Sequence, residues 1–161
     1  MNIRLATDED KDAIWAILEP MIRRGETYPL PREMSRAEAF EFWFAAGNEI
    51  FVWQEGGAVL GTYFLRANQR GGGAHVANCG YVTASGAEGR GIARAMCMQS
   101  LQQARERGFR AMQFNFVVST NERAVKLWQG MGFEIIGRLP GAFRHPEHGF
   151  VDTLVMYQRL L

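Results

Sequence analysis

Val82-Thr83-Ala84-Ser85-Gly86-Ala87-Glu88-Gly89-Arg90-Gly91-Ile92-Ala93-Arg94-Ala95-Met96 reads as a strand end, a loop and the start of a helix. Three glycines fall within six residues, and a helical pattern follows at once. Ile92/Ala93, Met96/Cys97, Ser100/Leu101 and Ala104 recur every three to four residues as one apolar or small face, and Gly108 is a stop. A helix start presents free backbone N–H groups and the positive end of the helix dipole. Glycines let an anion come close to that backbone, so a phosphate or pyrophosphate is the natural ligand; the alternative is a glycine loop that merely starts a helix.

Spacing narrows the choice of anion. A Walker loop needs Gly-Lys-Ser/Thr at the helix start, and none is present. A dinucleotide fingerprint needs a third glycine where Arg94 stands. Glu88-Gly89-Arg90-Gly91-Ile92-Ala93 instead resembles the acyl-CoA pyrophosphate loop of the GNAT superfamily of N-acetyltransferases, Arg/Gln-x-x-Gly-x-Gly/Ala. Gly91 and Ala93 match, and Glu88 replaces the usual Arg or Gln. Further on, Asn121-Glu122-Arg123-Ala124-Val125-Lys126-Leu127-Trp128-Gln129-Gly130-Met131-Gly132-Phe133 resembles that superfamily's last block, Asn-x-x-Ala-x-x-Leu-Tyr-x-x-x-Gly-Phe. The two blocks also have the usual gap between them, and the resemblance can cover the whole chain.

Composition agrees with a globular protein: 161 residues and 47% hydrophobic content suit one domain over 1–161 with a real core. A net charge of +1 gives no global attraction for nucleic acid or membrane. Cys79 and Cys97 have no CxxC spacing, so neither zinc nor a disulfide framework is suggested. Charge at residues 8–12 argues against a signal peptide, and no apolar run approaches a span of ~20 residues. The expectation is a soluble cytoplasmic protein with a small-molecule amine as partner, no nucleic acid or membrane, no metal, and a homodimer left open.

In order, residues 3–6 read as a strand. Thr7 to Asp10 form a capping box before a helix carrying Ile14, Ile17/Leu18 and Met21/Ile22, which Gly25 ends. A proline-fixed loop, Gly25-Glu26-Thr27-Tyr28-Pro29-Leu30-Pro31, precedes a second capping box at Ser35 to Glu38. Residues 50–54 and 59–65 are strands about a hairpin, and residues 75–83 lead into the glycine loop. Ala111–Val118 alternates Met112, Phe114 and Phe116 against Gln113, Asn115 and Val117. Ser119 and Glu122 are candidate caps for the next helix, and residues 133–139 and 150–159 close the chain as strands around a loop at 140–149. The order β-α-α-β-β-β-α-β-α-β-β suggests an α/β protein with a mixed central sheet and helices on both faces. The resemblance implies the GNAT fold: a mostly antiparallel sheet whose strands at 75–83 and 111–118 splay to admit the pantetheine arm of acetyl-CoA.

Acetyl transfer to an amine needs a held donor, a neutral amine, a stabilised oxyanion and a protonated leaving thiolate. By resemblance, acetyl-CoA as co-substrate meets Val82, Thr83, Glu88, Gly89, Arg90, Gly91, Ile92, Ala93, Asn121 and Trp128. The same carry-over puts the oxyanion donor at the backbone of Tyr81 or Val82. Trp128 stands where the family has a Tyr proton donor; an indole N–H donates a hydrogen bond but no usable proton, and its place on an apolar face also reads as core. Water, Tyr28 or Tyr157 would then protonate the thiolate. The strand before the loop has no carboxylate, so the base is water or solvent, with Glu26 the weak protein candidate. His145-x-x-His148 could suggest a metal, but the intervening proline and the lack of helical context favour a surface loop. Asp152 either orients a loop arginine or contacts substrate. Glu26, Thr27 and Tyr28 lie in the segment that lines the acceptor side in the superfamily, or are an ordinary connection.

Asn78, Asn115 and Asn121 converge on one cleft by topology. Asn115 interrupts an apolar strand, where a buried amide needs a partner; Asn115 and Asn121 could equally just cap backbone. These positions resemble the yeast-type azetidine-2-carboxylate N-acetyltransferases, which implies that Asn78 and Asn115 bind an acceptor carboxylate and that Asn121 holds the CoA arm. A protein N-terminal acetyltransferase and a non-catalytic acyl-CoA sensor are the competing readings.

Overall fold

The protein, seen in a computed structural model that describes residues 2–161, is built on one seven-stranded sheet. The strands are β1 (Asn2–Leu5), β2 (Glu49–Glu55), β3 (Ala58–Ala67), β4 (Val76–Thr83), β5 (Ala111–Val118), β6 (Glu134–His145) and β7 (Gly149–Arg159), ordered β1-β2-β3-β4-β5-β7-β6. The helices are α1 (Lys11–Arg24), α2 (Arg36–Trp43), α3 (Ile92–Glu106) and α4 (Glu122–Gly130). The element order is the expected one, with two added 3₁₀ turns, Asp8–Asp10 and Gly71–Gly73.

Each face of the sheet carries its own core. One buries Ile14, Ile17, Leu18 and Ile22 of α1 and Trp43 of α2 against Ile50, Val52, Phe64 and Val82. The other buries Ile92, Met96, Cys97 and Leu101 of α3 against Leu65, Cys79, Met112 and Phe114. The helical spacing read in α1 and α3 is the buried stripe in both cases. The capping box at α2 forms as expected: Glu38 N–H donates to Ser35 Oγ at 3.2 Å, and Ser35 N–H to Glu38 Oε1 at 3.2 Å.

Every neighbouring strand pair is antiparallel except β4–β5. Those two strands are parallel and pair at only two positions, Val76↔Ala111 and Ala77↔Met112. Beyond Ala77 they part, which opens a gap through the middle of the sheet.

Three local expectations are corrected. The loop expected at 140–149 is strand: β6 runs to His145, absorbing residues 140–142 at a register shift between Leu139 and Phe143, and only residues 146–148 turn. Asp152 accounts for this, since its carboxylate accepts from Gly141 N–H at 2.9 Å and pairs with Arg138 at 3.0 Å. The strict alternation in β5 fails after Phe114, because a register shift between Phe114 and Val117 loops out Asn115 and Phe116. Phe116 then packs edge-on to Phe143 rather than beside Phe114. Finally, α4 is capped by Asn121, whose Oδ1 accepts from Ala124 N–H at 3.4 Å, and not by Ser119.

Candidate active site

The gap between β4 and β5 is a cleft of about 810 Å³ that passes from one face of the sheet to the other. At its α3/α4 mouth lies the glycine loop. Gly91, the N-cap of α3, has φ +81°, and Gly89 has φ +79°, a conformation that side chains with a Cβ rarely adopt. Space beside Gly91 is open, whereas a Cβ on Gly89 would stand 3.0 Å from Arg123 Nη2. A guanidinium from α4 therefore overhangs the loop. Arg94 and Lys126 also line this end.

Two loop residues behave differently from expectation. Glu88 folds its carboxylate onto Gly86 N–H at 2.7 Å, so its charge is spent closing the turn. Arg90 is outside the cleft lining: it turns away to ion-pair with Glu55 of β2. The cations α3 and α4 bring to this end are thus Arg94, Arg123 and Lys126; Arg24 of α1 also lines the cleft, its Nη1 donating to Ser85 Oγ at 3.2 Å. The sequence reading passed over them because helical surface cations are ordinarily solvated.

Midway, the walls are Tyr81, Phe114 and Trp128. Their rings sit 5.0 Å (Tyr81–Trp128) and 5.2 Å (Phe114–Trp128) apart. Trp128 is 9% exposed and belongs to the apolar core while still fronting the cleft. The Tyr81 side chain points away into α3, where its hydroxyl meets Ser100 Oγ at 2.6 Å. Ser100 donates its own proton to the Cys97 carbonyl, so Tyr81 is the donor. Burial raises the Tyr81 hydroxyl pKa well above its ordinary value, so this hydroxyl is neutral at neutral pH. Burial also pushes the thiol of Cys79, in the cleft wall, up to about 12; it is a neutral packing group at neutral pH.

The α1/α2 mouth is built by the loop after α1. This loop is held by reciprocal arginine bonds: Arg23 Nη1 donates to the Arg32 and Met34 carbonyls at 2.6 and 2.8 Å, and Arg32 Nε to the Arg23 carbonyl at 2.8 Å. It presents Thr27, Tyr28 and Pro29 to the cleft; Glu26 does not line it. Tyr28 donates to the Tyr81 carbonyl at 3.2 Å, its own pKa raised by burial. A Cβ at position 80 would stand 2.7 Å from the Tyr28 oxygen, so Gly80 is what lets the loop close on β4. Tyr157 lies outside the cleft lining.

The three asparagines have distinct environments. Asn78 is buried, and its amide is engaged at both ends: Nδ2 donates to the Gln113 carbonyl at 2.9 Å, across the start of the splay, and Oδ1 accepts from Arg66 Nε at 3.1 Å. Asn115 is exposed rather than buried, because the bulge lifts it from the strand; it lines the cleft rim in a chain with Gln113 and Asn68 at 2.9 and 2.7 Å. Asn121 caps α4 and borders the cleft. His145 serves a turn: its Nδ1 accepts the N–H groups of Glu147 and His148, and the two imidazoles stack at 4.5 Å.

In sequence and in fold the chain is similar to known proteins. The profile described as Acetyltransferase (GNAT) family matches residues 15–133. N-acetyltransferase aca1 of Schizosaccharomyces pombe is 28% identical over 153 residues, 83% of this chain and 72% of that protein. A GCN5-related N-acetyltransferase from Kribbella flavida superposes with a TM-score of 0.93 at 40% identity, covering 98% of this chain and 96% of that one. A phosphinothricin acetyltransferase from Sinorhizobium meliloti, solved with AcCoA, shares the fold with a TM-score of 0.84 at 22% identity, over 98% and 87% of the two chains. The chain belongs to the acetyltransferase (GNAT) family of acetyl-CoA-dependent N-acetyltransferases.

Proposed function

We propose that this protein, as a single domain, acetylates a small α-carboxylated amine of the imino-acid type. Acetyl-CoA would enter along the β4–β5 gap, and the acceptor through the α1/α2 mouth. The observation that carries the donor half is the parting of β4 and β5 after Ala77, on the strand that leads into the positive-φ glycines at the start of α3. Backbone N–H groups of residues 91–94 would face the pyrophosphate, with Arg123 and Lys126 as counter-charge. Val82, Thr83 and Asn121 border the path of the arm. The backbone at Tyr81 or Val82 would polarise the acyl carbonyl, and Trp128 would pack against the arm.

The acceptor half rests on the makeup of the far mouth. Tyr28, Phe42 and Phe64 suit a compact saturated ring, and among the described residues the lining there offers no carboxylate or imidazole. Glu88, the one carboxylate in the cleft lining, is at the opposite end and bonded to the turn. The amine would therefore lose its proton to water or solvent, and the buried neutral thiol of Cys79 argues for direct transfer between the two substrates. A panel of amines, imino acids and short peptides, read by release of free CoA thiol, tests the proposal. Turnover of L-proline or L-azetidine-2-carboxylate above that of uncharged amines and peptides supports it; preference for a peptide N-terminus overturns it.

A further inference from the structure

Arg66, on β3 directly opposite Asn78 of β4, was not singled out by any sequence pattern. It stands in the acceptor end of the cleft and also walls a second recess of about 600 Å³, formed by residues 46–47 and 66–70. Seven ion pairs occur among the described residues, and Arg66 is in none of them. Its one side-chain hydrogen bond among the described residues runs from Nε to Asn78 Oδ1, at 3.1 Å. Its guanidinium lies over the Phe64 ring, 5.1 Å from the centroid. Asn78 is itself buried and tied to the Gln113 carbonyl, so the bond to Nε is made from a fixed post. Two constraints thus orient the fork, a hydrogen bond at one edge and an aromatic face beneath, while its terminal nitrogens stay available. A planar cation held this way and left without a protein anion matches a carboxylate, which it can meet with two parallel N–H bonds.

We propose that Arg66 selects the acceptor by gripping its carboxylate, and that Asn78 is a positioning residue that holds the guanidinium rather than the substrate's own partner. The assignment rests on the carboxylated-acceptor reading above and revises which side chain does the binding. It also gives the amine a direction: with the carboxylate drawn to Arg66, the amine nitrogen points toward β4 and the splay.

The test is steady-state acetylation of L-azetidine-2-carboxylate and its carboxamide by wild type, Arg66→Gln, Arg66→Lys and Asn78→Ala, with acetyl-CoA affinity measured by calorimetry for each. For Arg66→Gln, the acid-to-carboxamide ratio of kcat/KM should fall roughly 10- to 100-fold, mainly through KM for the acid. Arg66→Lys should recover part of that ratio, and acetyl-CoA affinity should stay within about twofold. Asn78→Ala should lower the same ratio by a smaller factor, because the guanidinium remains but is less fixed. A wild type that prefers the carboxamide, or acetylates neither compound, defeats the carboxylated-acceptor reading itself. A wild type that prefers the acid while Arg66→Gln keeps the preference defeats Arg66 alone. A larger selective loss in Asn78→Ala than in Arg66→Gln returns the carboxylate to Asn78.

Discussion

Gly91 has room for a side chain and still requires glycine, because its φ of +81° strains any residue with a Cβ. Gly91→Val should cost about 1–2 kcal/mol of stability and, by covering the backbone, weaken CoA binding at least about tenfold. Calorimetry with CoA reads the second effect, and unchanged affinity would move the pyrophosphate elsewhere. Glu88 is the instructive departure from the family's loop pattern. Its carboxylate is bonded to Gly86 N–H and cannot be exchanged for Arg without losing that bond. Glu88→Gln keeps an acceptor while removing a negative charge, so CoA affinity should rise a few-fold at low salt and less at high salt. Arg123 reaches the loop from α4 and, in the proposed binding mode, would supply the cation that position 88 lacks. Arg123→Ala should weaken CoA binding about tenfold while leaving KM for the acceptor in place.

The join between β1 and α1 shows how one carboxylate ties two elements. Asp10 is 6% exposed and accepts from Arg4 Nη1 and Nη2 at 2.8 and 2.9 Å and from Thr7 N–H at 2.7 Å. The Arg4 guanidinium, aided by Thr7, lowers its pKa to about 2 against the pull of burial. A depressed folded-state value stabilises the protein above the unfolded pKa of about 4, and that stabilisation is lost as pH falls through about 2. With Arg4 partly in water, Asp10→Asn should cost about 1–2 kcal/mol at pH 7 and progressively less below pH 4. Urea denaturation at several pH values checks this; a pH-independent difference would point to packing instead.

For the whole molecule, the cleft's chemistry predicts its pH profile. Among the described residues no imidazole lines it, and its one carboxylate, Glu88, is at the glycine-loop end. With saturating acetyl-CoA, log kcat/KM for the acceptor should climb with unit slope up to the amine's own pKa, shifting when an amine of different basicity is used. A break that stays near neutrality for every amine would reveal a protein base. Intact-mass spectra after incubation with acetyl-CoA alone should show no acylated enzyme, since the Cys79 thiol is buried and neutral.

The local code was readable along the chain. Helix stripes, the Ser35 capping box and the glycine loop depend on neighbours within a few residues, and each folds as its spacing dictates. The family followed from two such local blocks. Beyond them, long-range contacts decided the outcome. The bulge that exposes Asn115 arises from pairing with β7, and the strand that replaces the loop at 140–149 depends on Asp152 reaching back to Gly141. Arg90 and Arg94 look alike in the sequence; only the approach of β2 pairs the first with Glu55 and leaves the second at the cleft. Arg66 was unreadable for the same reason. Nothing near it in the chain says that Asn78, twelve residues on, will face it across a hairpin, or that no acid will fold close enough to take its charge.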